Sequence, residues 1–190
     1  MKDSSWLNDF DPYNDEYWEH KGKKIAWKTL GITTTALLFS FTTWFLYSVI
    51  VIKLPQVGYA FSDNQLFWLV AMPGLAGGLL RIINTFIIPI YGTRKVIAIS
   101  TLIKIIPLFL LGFALMDPNT SFTYFMFIGF LLGFGGGDFS SYMPSTSLFF
   151  PKKDLGTALG IQAGVGNFGV CVVQLISPLL LGLTLFSFFG

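Results

Sequence analysis

Three side chains able to hold an ion or a proton stand apart in apolar surroundings. Arg81 lies in "PGLAGGLLRIINTFIIPI", Asp138 in "GFGGGDF" and Asn167 in "AGVGNFGV". A guanidinium is a planar, permanently charged fork that matches a planar oxyanion bidentately. A carboxylate can pair with such a group or carry a proton, and an amide can hydrogen-bond a neighbouring helix or a ligand. Lys104, in "STLIKIIPLF", is a second cation in the same kind of setting. Catalysis finds less to work with. The chain has one histidine, His20, and one cysteine, Cys171. No Ser/His/Asp set and no cluster with metal-ligand spacing exists, so no enzyme, metal or cofactor is expected, and no nucleic-acid partner. Cys171 has no partner for an internal disulfide and reads as a small packing residue.

The elements that position these residues are set by composition. Of the 190 residues 53% are hydrophobic, 17% aromatic and only 12% charged, about half the charge fraction of a soluble domain. The charges fall in short clusters between five apolar stretches, at about 30–52, 66–90, 96–115, 122–150 and 156–186. Each meets the ~20 residues needed to cross ~30 Å of hydrocarbon. The expected fold class is therefore all-α, a polytopic helix bundle whose partner is the lipid bilayer. Residues 1–28 form a polar N-terminal segment and 29–190 the helical domain. The first segment does not have the pattern of a signal peptide. Trp18, Trp27 and Lys21, Lys23, Lys24 and Lys28 in it suit a membrane interface. Basic residues gather there, at Arg94–Lys95 and at Lys152–Lys153. The positive-inside rule then places the N-terminus and the second and fourth loops in the cytoplasm, in a multi-pass protein of the cell (cytoplasmic) membrane.

Small residues predict which faces meet, because helices in lipid associate through close packing. Gly74 and Gly78, Gly133 and Gly136, and Gly160, Gly164 and Gly166 are the candidate packing glycines. Packing explains spacings of four well. It explains three consecutive glycines poorly, since each weakens a helix by roughly 1 kcal/mol. "GFGGGDF" therefore predicts a helix that bends, or whose backbone something approaches. At 1.5 Å per residue Arg81, Asp138 and Asn167 lie ~14, ~18 and ~17 Å from the cytoplasmic face, near one level. Asn167 shares a face with Gly160 and Gly164, which directs it at neighbouring helices. A charge at that depth marks a functional site by default. The structural alternative is an ion pair between Arg81 and Asp138. Lys104, ~12 Å deep, reads as a snorkelling side chain, and Pro107 as a kink.

"KLPQVGYAFSDNQLFWLVAMPGLAGGLLRI", "GFGGGDFSSYM", "FFPKKDLGTALGIQAGVGNFGV" and "VQLISP" resemble the NarK-type nitrate/nitrite porters of the major facilitator superfamily, over about residues 22–186. The resemblance implies secondary transport of nitrate or nitrite by alternating access, as part of nitrate assimilation. It implies that Arg81 binds the anion, that Phe139 flanks it, and that Asn167 is the asparagine of a nitrate-signature segment. Where those porters carry "GGGNF" this chain carries "GGGDF", so Asp138 is either a proton-coupling group, with protons as co-substrate, or half of an ion pair. Another small anion is the alternative substrate. The family has twelve helices and a second arginine, so five helices are expected to be an incomplete N-terminal half. Alone it would be a non-transporting fragment or a membrane-interacting subunit. A functional porter would take its C-terminal half from a separate chain.

Overall fold

Lipid offers the backbone no hydrogen-bond partners, so each apolar stretch must satisfy its own N–H and C=O groups as a helix. The computed structural model describes residues 10–188, with side chains as far as residue 179, and no strand occurs among them. Residues 1–9 of the N-terminal segment and 189–190 of the helical domain lie outside the described residues.

The helices run in order α1 Asp15–Tyr17, α2 Lys23–Lys53, α3 Asp63–Tyr91, α4 Thr93–Ile103, α5 Ile105–Met116, α6 Phe122–Leu132, α7 Phe134–Gly137, α8 Phe139–Phe149 and α9 Lys152–Phe188. A π-helical turn, Trp18–Gly22, leads from α1 into α2. Among the described residues five helical stretches are long and apolar enough to cross a membrane. They are Asp15–Val57, Asp63–Tyr91, Thr93–Met116, Phe122–Phe149 and Lys152–Leu179. The third is interrupted once, at Lys104, and the fourth twice, at Gly133 and Asp138.

Local chemistry accounts for the ends and the breaks. Ser62 caps α3 in a capping box, accepting from the Gln65 N–H while the Gln65 side chain accepts from the Ser62 N–H. Gly92, with φ of 78°, is the single residue between α3 and α4. That φ lies where side chains other than glycine are strained. In the third stretch Pro107 has no N–H to donate to Ile103, one turn earlier, and the helix breaks between them.

α2 lies along α9, and α3 lies along α6, α7 and α8. One core forms at the end where Tyr47, Leu54, Leu69, Phe125 and Ile128 are fully buried. There the Tyr47 hydroxyl donates to the Phe125 carbonyl at 2.6 Å. A second core gathers Leu37, Phe41, Ile97 and Tyr142, with Trp44 and Phe139 packed against it.

The contacts between helices run along other faces than the expected glycine stripes. Gly74, Gly78, Gly160 and Gly164 have nothing within 4 Å of the place a Cβ would occupy. On α3 the buried face is Leu69, Pro73, Ala76, Gly77 and Ile88. On α9 it includes Ala158, Gln162, Gly166, Gly169 and Val173. Gly133 and Gly136 lie in the crossing of the fourth stretch with its neighbours, and Gly166 lies against Leu37. A spacing of four shows which glycines share a face of a helix; the neighbour's position decides which face is used.

The crossing at Gly133 meets both side chain and backbone of α3. A Cβ there would overlap that of Ala76 and stand 2.9 Å from the Pro73 carbonyl oxygen and 3.0 Å from the Gly77 nitrogen. We expect Gly133→Ala to force α3 and α6 apart and to lower stability in detergent by about 1–3 kcal/mol. Gly78→Ala, facing open space, should change it by no more than about 0.5 kcal/mol. Thermal unfolding of the two variants followed by size exclusion checks the contrast.

Candidate functional site

The broken fourth stretch sets out the site. From Gly133 to Gly137 the places of side chains are taken by other helices. Cβ atoms on Gly135 and Gly136 would collide with the Ser40 carbonyl and the Trp44 ring of α2, and one on Gly137 would stand 2.8 Å from Leu80 Cβ of α3. The glycines thus admit α2 on one side and α3 on the other. They also leave the backbone carbonyls close enough to be used by side chains.

Positions on α7 and α8 then divide by helical spacing. The Gly136 carbonyl, the Phe139 ring and the Ser140 hydroxyl, three and four apart, all reach Arg81 of α3; Asp138, Ser141, Tyr142 and Ser145 share another face. On the first face the Arg81 Nε donates to the Gly136 carbonyl at 3.1 Å. The Arg81 guanidinium carbon sits 5.6 Å from the centre of the Phe139 ring, within the range of a cation–π contact. The Ser140 hydroxyl donates to the Arg81 carbonyl at 3.0 Å. Phe41 stands 6.2 Å from Phe139 and 5.7 Å from Trp44, so the platform under Arg81 is aromatic. Among the described residues no carboxylate pairs with Arg81, and only its Nε is taken up by a hydrogen bond. Arg81 is exposed.

Asp138 faces the other way, and its partner is Lys104. The alternative of an ion pair with Arg81 does not form, because Asp138 is two residues beyond Gly136 and so turned about 200° around the helix. Lys104 and Asp138 make a salt bridge with side chains only 4% and 2% exposed. Ser100 also donates to one carboxylate oxygen, and Ser40 donates to the other at 2.6 Å. The Lys104 ammonium reaches the hydroxyls of Ser40 at 2.8 Å and Ser100 at 3.1 Å. Lys104 therefore does not snorkel. A buried carboxylate without a counter-charge costs several kcal/mol, and this outweighs the hydration the lysine would gain at the interface. The break at Lys104 sets the ammonium beside α2 and the fourth stretch.

Asn167 is not joined to this cluster. It is exposed, and its amide donates to the Ala163 carbonyl of its own helix at 2.8 Å. The α9 face that meets α2 carries Gly166 and Gly169 instead, where a Cβ would overlap Leu37 and the Leu38 carbonyl. Ser40, Trp44 and Ser100 are site residues that the sequence reading passed over. Ser100 and Lys104 are four apart, a polar pair within an apolar stretch, and this was the available signal. Since the Asn167 amide bonds only within its own helix, Asn167→Ala should leave stability within about 0.5 kcal/mol of the parent. Gly169→Ala should destabilise by more than about 1 kcal/mol, because its Cβ would be driven into α2 backbone. Unfolding midpoints of both variants in detergent measure the difference.

Comparison with known proteins places this geometry. Residues 32–189 match the Major Facilitator Superfamily. The chain is 52% identical over 183 residues to a probable nitrate/nitrite antiporter, NarK2, of Thermus thermophilus, covering 96% of this chain and 41% of that protein. It is 46% identical over 184 residues to the nitrate/nitrite transporter NarU of Salmonella typhimurium, covering 97% and 40%. It is 33% identical over 153 residues to a probable nitrate transporter, NarT, of Staphylococcus epidermidis, covering 80% and 38%. The chain thus spans about two-fifths of the length of these relatives. Its apolar helices and these matches make it a multi-pass membrane protein, and the chain belongs to the Major Facilitator Superfamily.

Proposed function

We propose that the chain supplies one side of a nitrate/nitrite porter, with Arg81 as the group that holds the anion. The observation that carries this reading is the state of Arg81. Its Nε donates to the Gly136 carbonyl and its guanidinium carbon lies over the Phe139 ring, while its outer nitrogens have no partner among the described residues. A guanidinium steadied in this way presents a fork of donors to a planar oxyanion. The Phe139 ring covers one flank and gives the charge an apolar surrounding, where its attraction for an anion is stronger than in water. The names of the relatives support nitrate or nitrite as that anion.

The open faces support a part in alternating access. Arg81 lies seven residues beyond Gly74, and Asn167 seven beyond Gly160, so each polar residue ends a smooth glycine face with nothing against it. A complementary half, in the same polypeptide or a separate one, seats on these faces, brings further groups to the anion and slides along them as the site opens to either side. Asn167 contacts the substrate or the other half once that face is covered. The basic residues at Arg94–Lys95 and Lys152–Lys153 support an orientation with that end of the bundle, and the N-terminus, on the cytoplasmic side of the cell membrane.

Arg81 and Arg94 are the two arginines of the chain, which makes arginine-selective 15N labelling simple to read. In lipid nanodiscs nitrate should shift the Arg81 Nε–H resonance and leave that of Arg94 in place. Transport is tested by joining the chain to the remaining length of the Thermus thermophilus relative. Arg81→Lys, which keeps the charge and loses the fork, should cut nitrate uptake into vesicles at least about tenfold, equivalent to ~1.4 kcal/mol. Near-parental uptake by that variant sinks the assignment of Arg81 as the anion clamp.

A further inference from the structure

The mechanism above uses Arg81 and leaves the most deeply buried charges among the described residues, Lys104 and Asp138, without a task. Both oxygens of the carboxylate are occupied: one by Ser100, the other by Ser40 and Lys104. The lysine comes from the break between α4 and α5, Ser40 from α2, and Asp138 from the break between α7 and α8. The cluster therefore ties three membrane-crossing stretches together at the point where two of them are interrupted. It does so within two residues of the carbonyl on which Arg81 rests, and next to Phe139 in sequence.

We infer that Asp138 and Lys104, held by Ser40 and Ser100, form a permanently ionised and internally neutral pin. It positions Gly136 and Phe139, and through them Arg81. The inference deepens the anion-site reading and rests on it for the use to which Arg81 is put. Two features of the geometry favour a pin over a proton carrier. The carboxylate has donors on both oxygens, one of them an ammonium, and such hydrogen bonds favour the charged form. Its charge is also matched within the cluster, so it does not subtract from the positive field around Arg81. Lys104 and Tyr142 are the titratable groups that face Asp138 among the described residues. Tyr142 is fully buried on the same face of α8. From α2 and α4 the facing groups are the hydroxyls of Ser40 and Ser100, which do not titrate, and the charge of Arg81 is directed away on the other face. Asp138 and Lys104 are thus positioning residues, separate from the groups that would touch the anion.

The chain itself, in lipid nanodiscs, gives the test. Infrared difference spectra between the parent and Asp138→Asn isolate the Asp138 carboxyl. They should show a carboxylate from about pH 5 to about pH 8, with no protonated C=O band. A band that grows in across that range and is absent from Asp138→Asn overturns the pin and makes Asp138 a proton carrier. With 15N-arginine, Lys104→Gln should displace the Arg81 Nε–H resonance, because it leaves an unpaired carboxylate beside the kink. Lys104→Gln/Asp138→Asn, an uncharged amide pair that can still hydrogen-bond across the same gap, should return that resonance to near its parental position. Should the lysine variant not assemble, Asp138→Asn alone is read in the same way and is expected to displace the resonance. An Arg81 resonance indifferent to these changes overturns the positioning role. Nitrate is added to each sample in turn. If Lys104→Gln moves the Arg81 resonance while nitrate does not, the pin stands and the anion reading falls.

Discussion

A carboxylate buried in a membrane helix cannot stand without its counter-charge, and much of this bundle is arranged around that one requirement. Asp138 takes the counter-charge from Lys104, and the two are reachable only because each lies at an interruption of its helix. At one interruption Pro107 removes a backbone donor; at the other a run of glycines lets α2 and α3 close in on the main chain. Ser40 and Ser100 complete the shell. Removing one member of such a pair leaves the other charge stranded, which is why buried pairs are costly to break even where they add little net stability.

The broken fourth stretch separates two tasks by the geometry of a single turn. One face of α7 and α8 gives Gly136 and Phe139 to Arg81; another gives Asp138 to Lys104. A negative charge two residues from the carbonyl that holds Arg81 would otherwise weaken the anion binding proposed for it. Pairing it behind the helix keeps the open face positive. The presence of aspartate in "GGGDF" is in this way compatible with an anion site beside it.

The sequence was informative where physics acts along the chain, and silent where it acts around the helix axis. Apolar runs of membrane-crossing length are the direct expression of a ~30 Å hydrocarbon layer, so the five stretches were legible, as was the weakness of three consecutive glycines. Which way a side chain points at a given depth was not legible. Lys104 lies close enough to an interface to snorkel, and only the place of Asp138 on the neighbouring stretch shows why it turns inward. The repeats at Gly74/Gly78 and Gly160/Gly164 correctly group residues on a face but do not reveal that Gly77, Gly166 and Gly169 make the close crossings. Asn167 follows its stripe into the open for the same reason.

Gly92 alone separates α3 from α4, and a connection of one residue has no slack. Arg81 is on the first of these helices and Lys104 at the far end of the second, so the two cannot tilt independently at their shared base. Any rocking of α3 is passed to α4 as through a bent lever. The lever's two arms carry the guanidinium and the ammonium of the buried pair. A displacement of Arg81 would pull on the Lys104–Asp138 pair at the same time, so the hairpin behaves as one mechanical part with Gly92 as its elbow.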